Sequence, residues 1–213
     1  MNKKTNKIII FILIIALLIN IILVKFNCFY KIDLSFYNLI SKLISYNNTI
    51  IFKLFSFIVS KEMIIIYLLT ILGYCIIKKK SGGLAYFFII VINIFFNQTL
   101  KLIIKRPRPN INSIVYENSY SFPSGHTMTI ITIVGIIIYL IWNKTKLKKA
   151  KKIIISILLI IISILVMISR IYLGVHYFSD IIGGIISALL LLSIVYYFYN
   201  FKYKIPYYYK NKK

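Results

Sequence analysis

Long apolar runs, separated by short clusters of basic residues, dominate this chain. Sixty per cent of its 213 residues are hydrophobic, and a soluble domain of this length could not bury so much apolar surface. Each run approaches the ~20 residues that a helix needs to cross a bilayer. We therefore predict a single domain, 1–213, folded as an all-α integral membrane bundle of six transmembrane helices. The predicted spans are about 8–24, 63–77, 84–103, 127–142, 153–171 and 177–199.

Two segments near the N-terminus have alternative interpretations. In segment 33–58, apolar residues recur at helical spacing, but polar residues such as Lys42 and Asn48 interrupt them. This pattern favours an amphipathic helix or helix pair at the membrane interface. The alternative is a weakly hydrophobic extra span, which would reverse every later span. The first apolar run follows three lysines, as in a signal peptide, but its length and the lack of a small-residue cleavage pattern favour a retained span.

The distribution of basic residues predicts the orientation. If the N-terminus is cytoplasmic, 17 of the 27 Lys and Arg residues fall on the inner side, close to span ends, as the positive-inside rule requires. We therefore expect a multi-pass protein of the cell membrane, with both termini in the cytoplasm. This topology places Cys28 and Cys75 near opposite membrane faces, so two free thiols are expected. The inner clusters are 3–7, 78–80, 144–152 and 202–213.

The formal net charge of +23 raises the alternative of a nucleic-acid-binding protein. Such a protein needs its basic residues on one folded surface, whereas here they are divided among the ends of apolar runs. The abundance of Ile, Lys, Asn and Tyr is also typical of an A/T-rich genome, which accounts for part of the basicity. We therefore expect the lipid bilayer, and no nucleic acid, as the partner of this chain.

Three short segments place ionisable residues in or beside apolar spans, where such residues are costly and therefore usually functional. The first runs from Lys101 to Pro109 and holds Arg108. Asn93, Asn97 and Lys101 follow one another at intervals of four, which indicates one polar stripe along a helix. Taken alone, the segment also fits an ordinary basic cluster at a membrane edge, but the positive-inside rule disfavours that alternative on the predicted outer side.

The second segment, Pro123-Ser124-Gly125-His126, directly precedes the fourth predicted span. A helix N-terminus offers unpaired N–H groups and a positive dipole end to an anion. Ser124 adds a hydroxyl, Gly125 lets the backbone approach a phosphate closely, and His126 is placed to donate a proton. For this segment alone, a helix cap with an incidental histidine is the alternative.

The third segment joins the last two spans and contains Ser169, Arg170, His176 and Asp180. His176 and Asp180 have the spacing of neighbours on one helical face. A carboxylate on one ring nitrogen fixes the tautomer and leaves the other nitrogen free to attack. Arg170 offers a planar fork that matches phosphate oxygens. A structural salt bridge that includes Arg170 is the alternative.

The predicted topology brings these three segments together at the outer face. They combine three cations, a helix N-terminus and the only two histidines of the chain. Only four acidic residues occur in the sequence, so no carboxylate cluster is available for a divalent metal. The combination predicts a site for an anion that uses no metal ion and no other cofactor.

The three segments resemble the motifs of the type 2 phosphatidic acid phosphatase family, which is related to glucose-6-phosphatase and the vanadium haloperoxidases. The motifs are K-x6-RP, PSGH and SR-x5-H-x3-D, and all three occur without a substitution and in the family's order. The resemblance covers about residues 60–200, and it implies a metal-independent membrane lipid phosphatase. The matching residues are Lys101, Arg108 and Pro109, then Pro123 to His126, then Ser169, Arg170, His176 and Asp180.

The resemblance also implies a role for each residue. His176 is expected to attack phosphorus and form a phosphohistidine, while Asp180 orients it and stabilises its positive form. His126 is expected to protonate the leaving oxygen and then to activate water. Five residues are expected to hold the phosphoryl oxygens: Lys101, Arg108, Ser124, Gly125 and Arg170.

These motifs bind phosphate and do not select the lipid attached to it. The short loop 110–121 suits a small headgroup on a long tail. Family prevalence and the outward orientation favour undecaprenyl diphosphate, a carrier lipid of cell-wall synthesis, with phosphatidylglycerophosphate, phosphatidic acid and lipid A phosphates as alternatives. Two other classes are a vanadate-dependent haloperoxidase, whose known relatives are soluble and larger, and a non-catalytic lipid-binding membrane protein.

Overall fold

The computed structural model describes residues 3–79, 83–110 and 113–210. Within these ranges the chain folds into eight α-helices and contains no strand, which confirms the all-α class. The helices are α1 (Lys3–Lys25), α2 (Tyr30–Ser41), α3 (Tyr46–Phe57), α4 (Lys61–Ile77), α5 (Leu84–Ile104), α6 (Gly125–Lys144), α7 (Lys149–Tyr172) and α8 (Phe178–Lys210).

Six helical stretches in the described ranges are long and apolar enough to cross a membrane, which confirms the predicted number of spans. Five of them lie in α1, α5, α6, α7 and α8, and the sixth, Tyr46–Ile77, combines α3 and α4. The second span was predicted at 63–77, but its apolar stretch begins at Tyr46, because only a short turn separates α3 from α4. Lys80 and residues 211–213 of the predicted inner clusters lie outside the described residues.

The segment predicted to form an amphipathic helix or helix pair contains two helices, α2 and α3. Ser45 caps α3, since its hydroxyl oxygen accepts a hydrogen bond from the N–H of Asn48. Asp33 and Phe36 of α2 contact the start of α8, where the ring of Phe36 stacks on that of Phe178. The helix α2 therefore covers the end of the bundle at which α7 stops and α8 begins.

The longest helix, α8, packs against α1, α2, α5 and α6, and α6 packs in turn on α7. Small residues allow the close approach of α8 to α6: a Cβ on Gly184 would lie 2.9 Å from the Cβ of Thr127 and 3.0 Å from the carbonyl oxygen of Ser124. The outward faces of α1 and α7 expose large apolar side chains such as Phe11 and Leu158. These faces form the surface that lipid covers.

Buried charged residues concentrate at one end of the bundle, where α5 and α7 stop and α6 and α8 begin. At the other end, the amide of Asn6 near the start of α1 donates a hydrogen bond to the carbonyl oxygen of Ser193 in α8. The start of α1 and the later part of α8 therefore lie together, away from the buried charges. Cys28 and Cys75 are free thiols in this structure, as predicted.

Candidate active site

The ends of four helices surround a cavity of about 590 Å³. The helices α5 and α7 end beside it, α6 and α8 begin beside it, and the turn between α3 and α4 forms another wall. The structure thus brings all three sequence segments to one place. Six of the eight predicted site residues line the cavity: Lys101, Arg108, Gly125, His126, Arg170 and His176.

The polar stripe predicted on α5 attaches that helix to α6. The Nδ2 of Asn93 donates to the hydroxyl of Thr129 at 3.2 Å. One turn later, the Nδ2 of Asn97 donates to the carbonyl oxygen of Pro123 at 3.1 Å. These two buried contacts fix the second motif against the first, and they place Lys101, the third residue of the stripe, beside the cavity.

Arg108 reaches the cavity from a loop. The helix α5 ends because Lys105 adopts a left-handed conformation, with a φ of 52°. From the loop that follows, the Nη1 of Arg108 donates to the carbonyl oxygen of Val175 and its Nε to that of Ser119, both at 2.7 Å. The Nζ of Lys101 donates to another carbonyl oxygen of the same loop. These carbonyl oxygens orient both cations without placing a negative charge on them.

The Pro123–His126 segment caps α6 and is tied to α8. The Oγ of Ser124 accepts hydrogen bonds from the N–H and the hydroxyl of Thr127, and the Ser124 N–H donates to the carbonyl oxygen of Asp180. Ser124 is fully buried as this helix cap, so its contact with phosphate stays a prediction. Gly125 and His126 form the first turn of α6 and line the cavity. A first helical turn offers unpaired N–H donors to an anion.

His176 lies in the short connection between α7 and α8, with 4% of its surface exposed. Its Nδ1 is 3.3 Å from the Oδ2 of Asp180, so the predicted contact is present although α8 begins only at Phe178. The same oxygen accepts a hydrogen bond from the N–H of Tyr177 at 2.9 Å. A proton held between Nδ1 and the carboxylate leaves the lone pair on Nε2, which is the state a nucleophile needs.

The surroundings of His176 favour its neutral form. Burial lowers the pKa of His176 well below its ordinary value. The positive charges of Arg170, Arg108 and Lys101 lower this pKa further, while a hydrogen bond with the backbone of Ser121 opposes the shift. His176 is therefore neutral at neutral pH, and its ring can act as a nucleophile without first losing a proton.

Two residues that the sequence analysis did not select, Glu117 and Ser56, hold Arg170. The Nη2 of Arg170 is 2.7 Å from the carboxylate of Glu117, and its Nη1 donates to the hydroxyl of Ser56 at 2.5 Å. Glu117 also lies 3.6 Å from the Nη2 of Arg108, so one carboxylate bridges two of the predicted phosphate-binding cations. Among the residues that the structure describes, the buried Nε of Arg170 has no hydrogen-bond partner, which leaves one donor for a further anionic oxygen.

Asp33 and Arg106, which the sequence analysis also did not select, form an ion pair beside the start of α8. The sequence does contain a signal for Asp33 and Glu117. Buried cations need ionic partners, and the sequence supplies only four acidic residues against 27 basic ones, which makes each acid a candidate partner. Three of the four acids, Asp33, Glu117 and Asp180, indeed pair with arginines around the cavity.

The fold and the site together define a class: a helical membrane protein with an anion site, formed by cations and two histidines, at one end of its bundle. Residues 82–204 match the PAP2 superfamily. Because this match covers more than half of the chain, the chain belongs to the PAP2 superfamily.

Similar proteins are known from two bacteria. Phosphatidylglycerophosphatase B of Bacillus subtilis (strain 168) is 39% identical over 119 residues, which span 55% of this chain and 58% of that protein. The crystal structure of a transmembrane PAP2 type phosphatidylglycerolphosphate phosphatase from Bacillus subtilis matches with a TM-score of 0.81 at 26% identity, over 92% of this chain and 97% of that one. Aquifex aeolicus LpxE shares the fold, with a TM-score of 0.57 at 24% identity over 76% and 93% of the two chains.

Proposed function

We propose that this chain is a membrane-embedded lipid phosphatase that hydrolyses a phosphomonoester or diphosphate through a phosphohistidine intermediate. The observation that carries the proposal is a single cavity lined by both histidines of the chain and by Lys101, Arg108 and Arg170. The unpartnered Nε of Arg170 suits an oxygen of a phosphoryl group. The names of the Bacillus relatives, which describe phosphatidylglycerophosphate phosphatases, support the same class of reaction.

In the first step, the Nε2 of His176 attacks phosphorus, and the bond between phosphorus and the leaving oxygen breaks. Asp180 stabilises the positive charge that the ring acquires, through its contact with Nδ1. His126 donates a proton to the leaving oxygen. The three cations and the N–H groups of the first turn of α6 stabilise the negative charge on the equatorial oxygens. The products of this step are a phosphohistidine and the lipid with one phosphate fewer, which is an alcohol from a phosphomonoester and a lipid monophosphate from a diphosphate.

In the second step, water attacks the phosphorus of the phosphohistidine. His126, which lost its proton in the first step, accepts one from this water. The bond between phosphorus and Nε2 breaks, its electron pair returns to His176, and inorganic phosphate leaves. The enzyme then holds a protonated His126 and a neutral His176, as it did at the start.

The positive-inside rule supports an outer location for this site. The cavity lies at the bundle end opposite the start of α1, and the basic clusters favour cytoplasmic termini. A lipid phosphate at the outer headgroup level can enter such a cavity from the side while its tail stays in the bilayer.

Two lipid substrates are supported by different observations. The names of the relatives favour phosphatidylglycerophosphate. Undecaprenyl diphosphate, which the sequence analysis favours, carries a second phosphate, and the cavity wall contributed by α3 and α4 holds two further cations, Lys53 and Lys61. The phosphoryl chemistry is the same for both lipids, so a direct comparison of the substrates decides between them.

The test is phosphate release by the purified protein from undecaprenyl diphosphate, phosphatidylglycerophosphate, phosphatidic acid and lipid A, each with and without EDTA. We expect turnover of at least one lipid, and we expect EDTA to leave it unchanged because a cavity lined by cations repels a divalent metal. His176→Ala should abolish turnover, whereas Lys146→Gln, an exposed position between α6 and α7, should retain it. Equal release by wild type and His176→Ala would overturn the proposal, and vanadate-dependent halide oxidation would favour a haloperoxidase.

A further inference from the structure

Arg106 lies between two buried carboxylates. Its Nη1 is 2.5 Å from the Oδ1 of Asp180, and its Nη2 is 2.8 Å from the Oδ2 of Asp33. The guanidinium also lies over the ring of Tyr177, 3.9 Å from the ring centroid. Side-chain exposure is 10% for Arg106, 2% for Asp33 and 0% for Asp180. Burial of three charges in contact is costly unless each is paired, and here each is.

Ser179 completes the hydrogen bonding of this cluster. The Oδ1 of Asp33 accepts the N–H of Ser179 at 2.8 Å, and its Oδ2 accepts the Ser179 hydroxyl at 2.8 Å. The same hydroxyl oxygen accepts the Nη1 of Arg106 at 2.8 Å. A carboxylate on the interfacial helix α2 thus caps the first turn of α8 and at the same time fixes the guanidinium.

The two oxygens of Asp180 have different partners. Oδ1 is bound by Arg106, while Oδ2 faces the Nδ1 of His176 and accepts the N–H of Tyr177. A carboxylate held at both oxygens cannot rotate away from the imidazole. Arg106 therefore determines which edge of Asp180 reaches His176, although Arg106 is not itself among the residues that line the cavity.

The net charge of the cluster gives Asp33 a role. Arg106 and Asp180 alone would form a neutral pair, which would stabilise a positive charge on His176 poorly. With Asp33 the buried cluster carries a formal net charge of −1, from two carboxylates and one guanidinium. A phosphohistidine needs such a negative partner, because the ring becomes positive when Nε2 bonds to phosphorus.

We propose that Arg106 and Asp33 are positioning residues for His176: Arg106 orients the carboxylate of Asp180, and Asp33 offsets the guanidinium so that the cluster keeps a negative charge. The kinetic part of this inference rests on the proposed phosphatase function. The electrostatic part is a property of the folded protein and is measurable without a substrate. Helix α2 thereby acts on the nucleophile through Arg106 and Asp180.

The other charged groups around His176 set the background for this effect. They come from the loop after α5, from α6, and from the ends of α5, α7 and α8. These groups are the same in wild type and in the Asp33 variants, so a difference in the pKa of His176 reports the change at position 33. They are Lys101, Arg108, Glu117, His126, Arg170 and Asp180.

The first test compares Asp33→Asn with wild type. An asparagine keeps the shape and can still accept the N–H of Ser179, so a role limited to capping α8 predicts wild-type kinetics. Our inference predicts that kcat falls roughly 10- to 100-fold, the usual effect of losing an outer partner of a site residue, while KM changes little. Lys31→Gln, which removes an exposed charge from the same helix, is the matched control and should leave kcat unchanged.

The second test uses the fact that the chain contains two histidines. Selective isotope labelling of histidine gives NMR signals from His126 and His176 only, and their titration reports both pKa values. Asp33→Asn should lower the pKa of His176 by about one unit, because a nearby negative charge is lost. The double variant Asp33→Asn with Arg106→Gln restores the net charge of −1, so this pKa should return to the wild-type value or above it while kcat stays low.

The results of these two tests distinguish the positioning role of Arg106 and Asp33 from the proposed phosphatase function. An unchanged pKa of His176 in both variants, or wild-type kcat in Asp33→Asn, would overturn the positioning role. A wild-type protein that releases no phosphate from any lipid, but whose His176 titration responds as expected, would overturn the phosphatase proposal and leave the electrostatic coupling standing.

Discussion

The cations that line the cavity differ in the kind of group that binds them. Lys101 and Arg108 donate to carbonyl oxygens, which orient the side chains without cancelling their charge. Arg170 instead pairs with the carboxylate of Glu117, which also lies near Arg108. An incoming phosphate must displace this carboxylate or compete with it. Glu117 is therefore the residue that determines how strongly the cavity attracts an anion.

Replacement of Glu117 by Gln should strengthen anion binding. The variant removes the competing negative charge, so we expect orthovanadate and inorganic phosphate to inhibit roughly tenfold more strongly, equal to about 1.4 kcal/mol. Without an anion, the buried guanidinium of Arg170 loses its ionic partner, and the unfolding temperature should fall. Inhibition assays and thermal unfolding with and without phosphate measure both effects, with Lys146→Gln as the control. Weaker vanadate inhibition would mean that Glu117 serves to orient Arg170.

The pH dependence of kcat/KM should be bell-shaped, because the reaction needs a neutral His176 and a protonated His126. Burial lowers the pKa of His176, so its neutral form persists into more acidic solution, and the acidic limb should lie below about pH 6.5. His126→Gln should lower the rate by roughly 10²- to 10⁴-fold and remove the basic limb. Phosphate release from about pH 4 to 9 measures both limbs. A flat chemical step across this range would contradict both roles.

The sequence predicted that the motif residues lie together, and the scarcity of acidic residues marked the candidate partners, but not which cation each acid would pair with. Lys101, Arg108 and His176 stand out because ionisable groups are rare in apolar spans. The pairing of Arg170 with Glu117 joins positions 53 residues apart, and that of Arg106 with Asp33 joins positions 73 apart. Helical periodicity predicts contacts only three or four residues away. Contacts between separate helices and loops depend on the packed fold.

At the scale of helices, the contact between α6 and α8 sets the distance between the two histidines. His126 lies in the first turn of α6, and His176 directly precedes α8. The N–H of Ser124 binds the carbonyl oxygen of Asp180, and Gly184 lies one turn further along α8 against the same cap. A change at this contact should therefore alter catalysis without touching a reacting group.

Gly184→Ala should separate α6 from α8. The new Cβ would meet the Cβ of Thr127 at 2.9 Å and the carbonyl oxygen of Ser124 at 3.0 Å, and a backbone atom cannot rotate away. We expect a loss of stability of about 1–3 kcal/mol, as for other overpacked sites, together with a lower kcat. The matched control is Gly73→Ala in α4, where nothing lies within 4 Å of the new Cβ. Equal unfolding temperatures for the two variants would contradict the close contact.

The positions of the helices were easier to predict from the sequence than the residues at which they end. The apolar runs give five spans within a few residues, because the bilayer thickness sets their length. Lys101 and Arg108 are seven positions apart and would share one side of a continuous helix, but α5 ends at Ile104 through a left-handed residue that carries a long side chain, Lys105. No glycine marks this position, but Pro107 and Pro109 follow within a few residues, and proline is common just after a helix end.

At the scale of the whole molecule, apolar side chains face outward along the bundle while charged ones are buried at a single end. This distribution suits a protein whose lateral solvent is lipid and whose chemistry takes place at one membrane surface. Cys28 lies just after α1 at the cavity end, and Cys75 lies near the end of α4 at the other. The two thiols therefore provide native markers for the two ends.

Labelling of these thiols in intact spheroplasts tests the orientation of the bundle. Cys28 is exposed, so a membrane-impermeant maleimide added from outside should modify it if the cavity faces outward. Cys28→Ser should abolish this labelling, because Cys75 is buried. In that background, Lys146→Cys places a thiol on the exposed connection between α6 and α7 at the opposite end, and it should react only after permeabilisation. Labelling of Lys146→Cys from outside, together with no outside labelling of Cys28 in the wild type, would reverse the topology and place the cavity on the cytoplasmic side, contrary to the positive-inside rule.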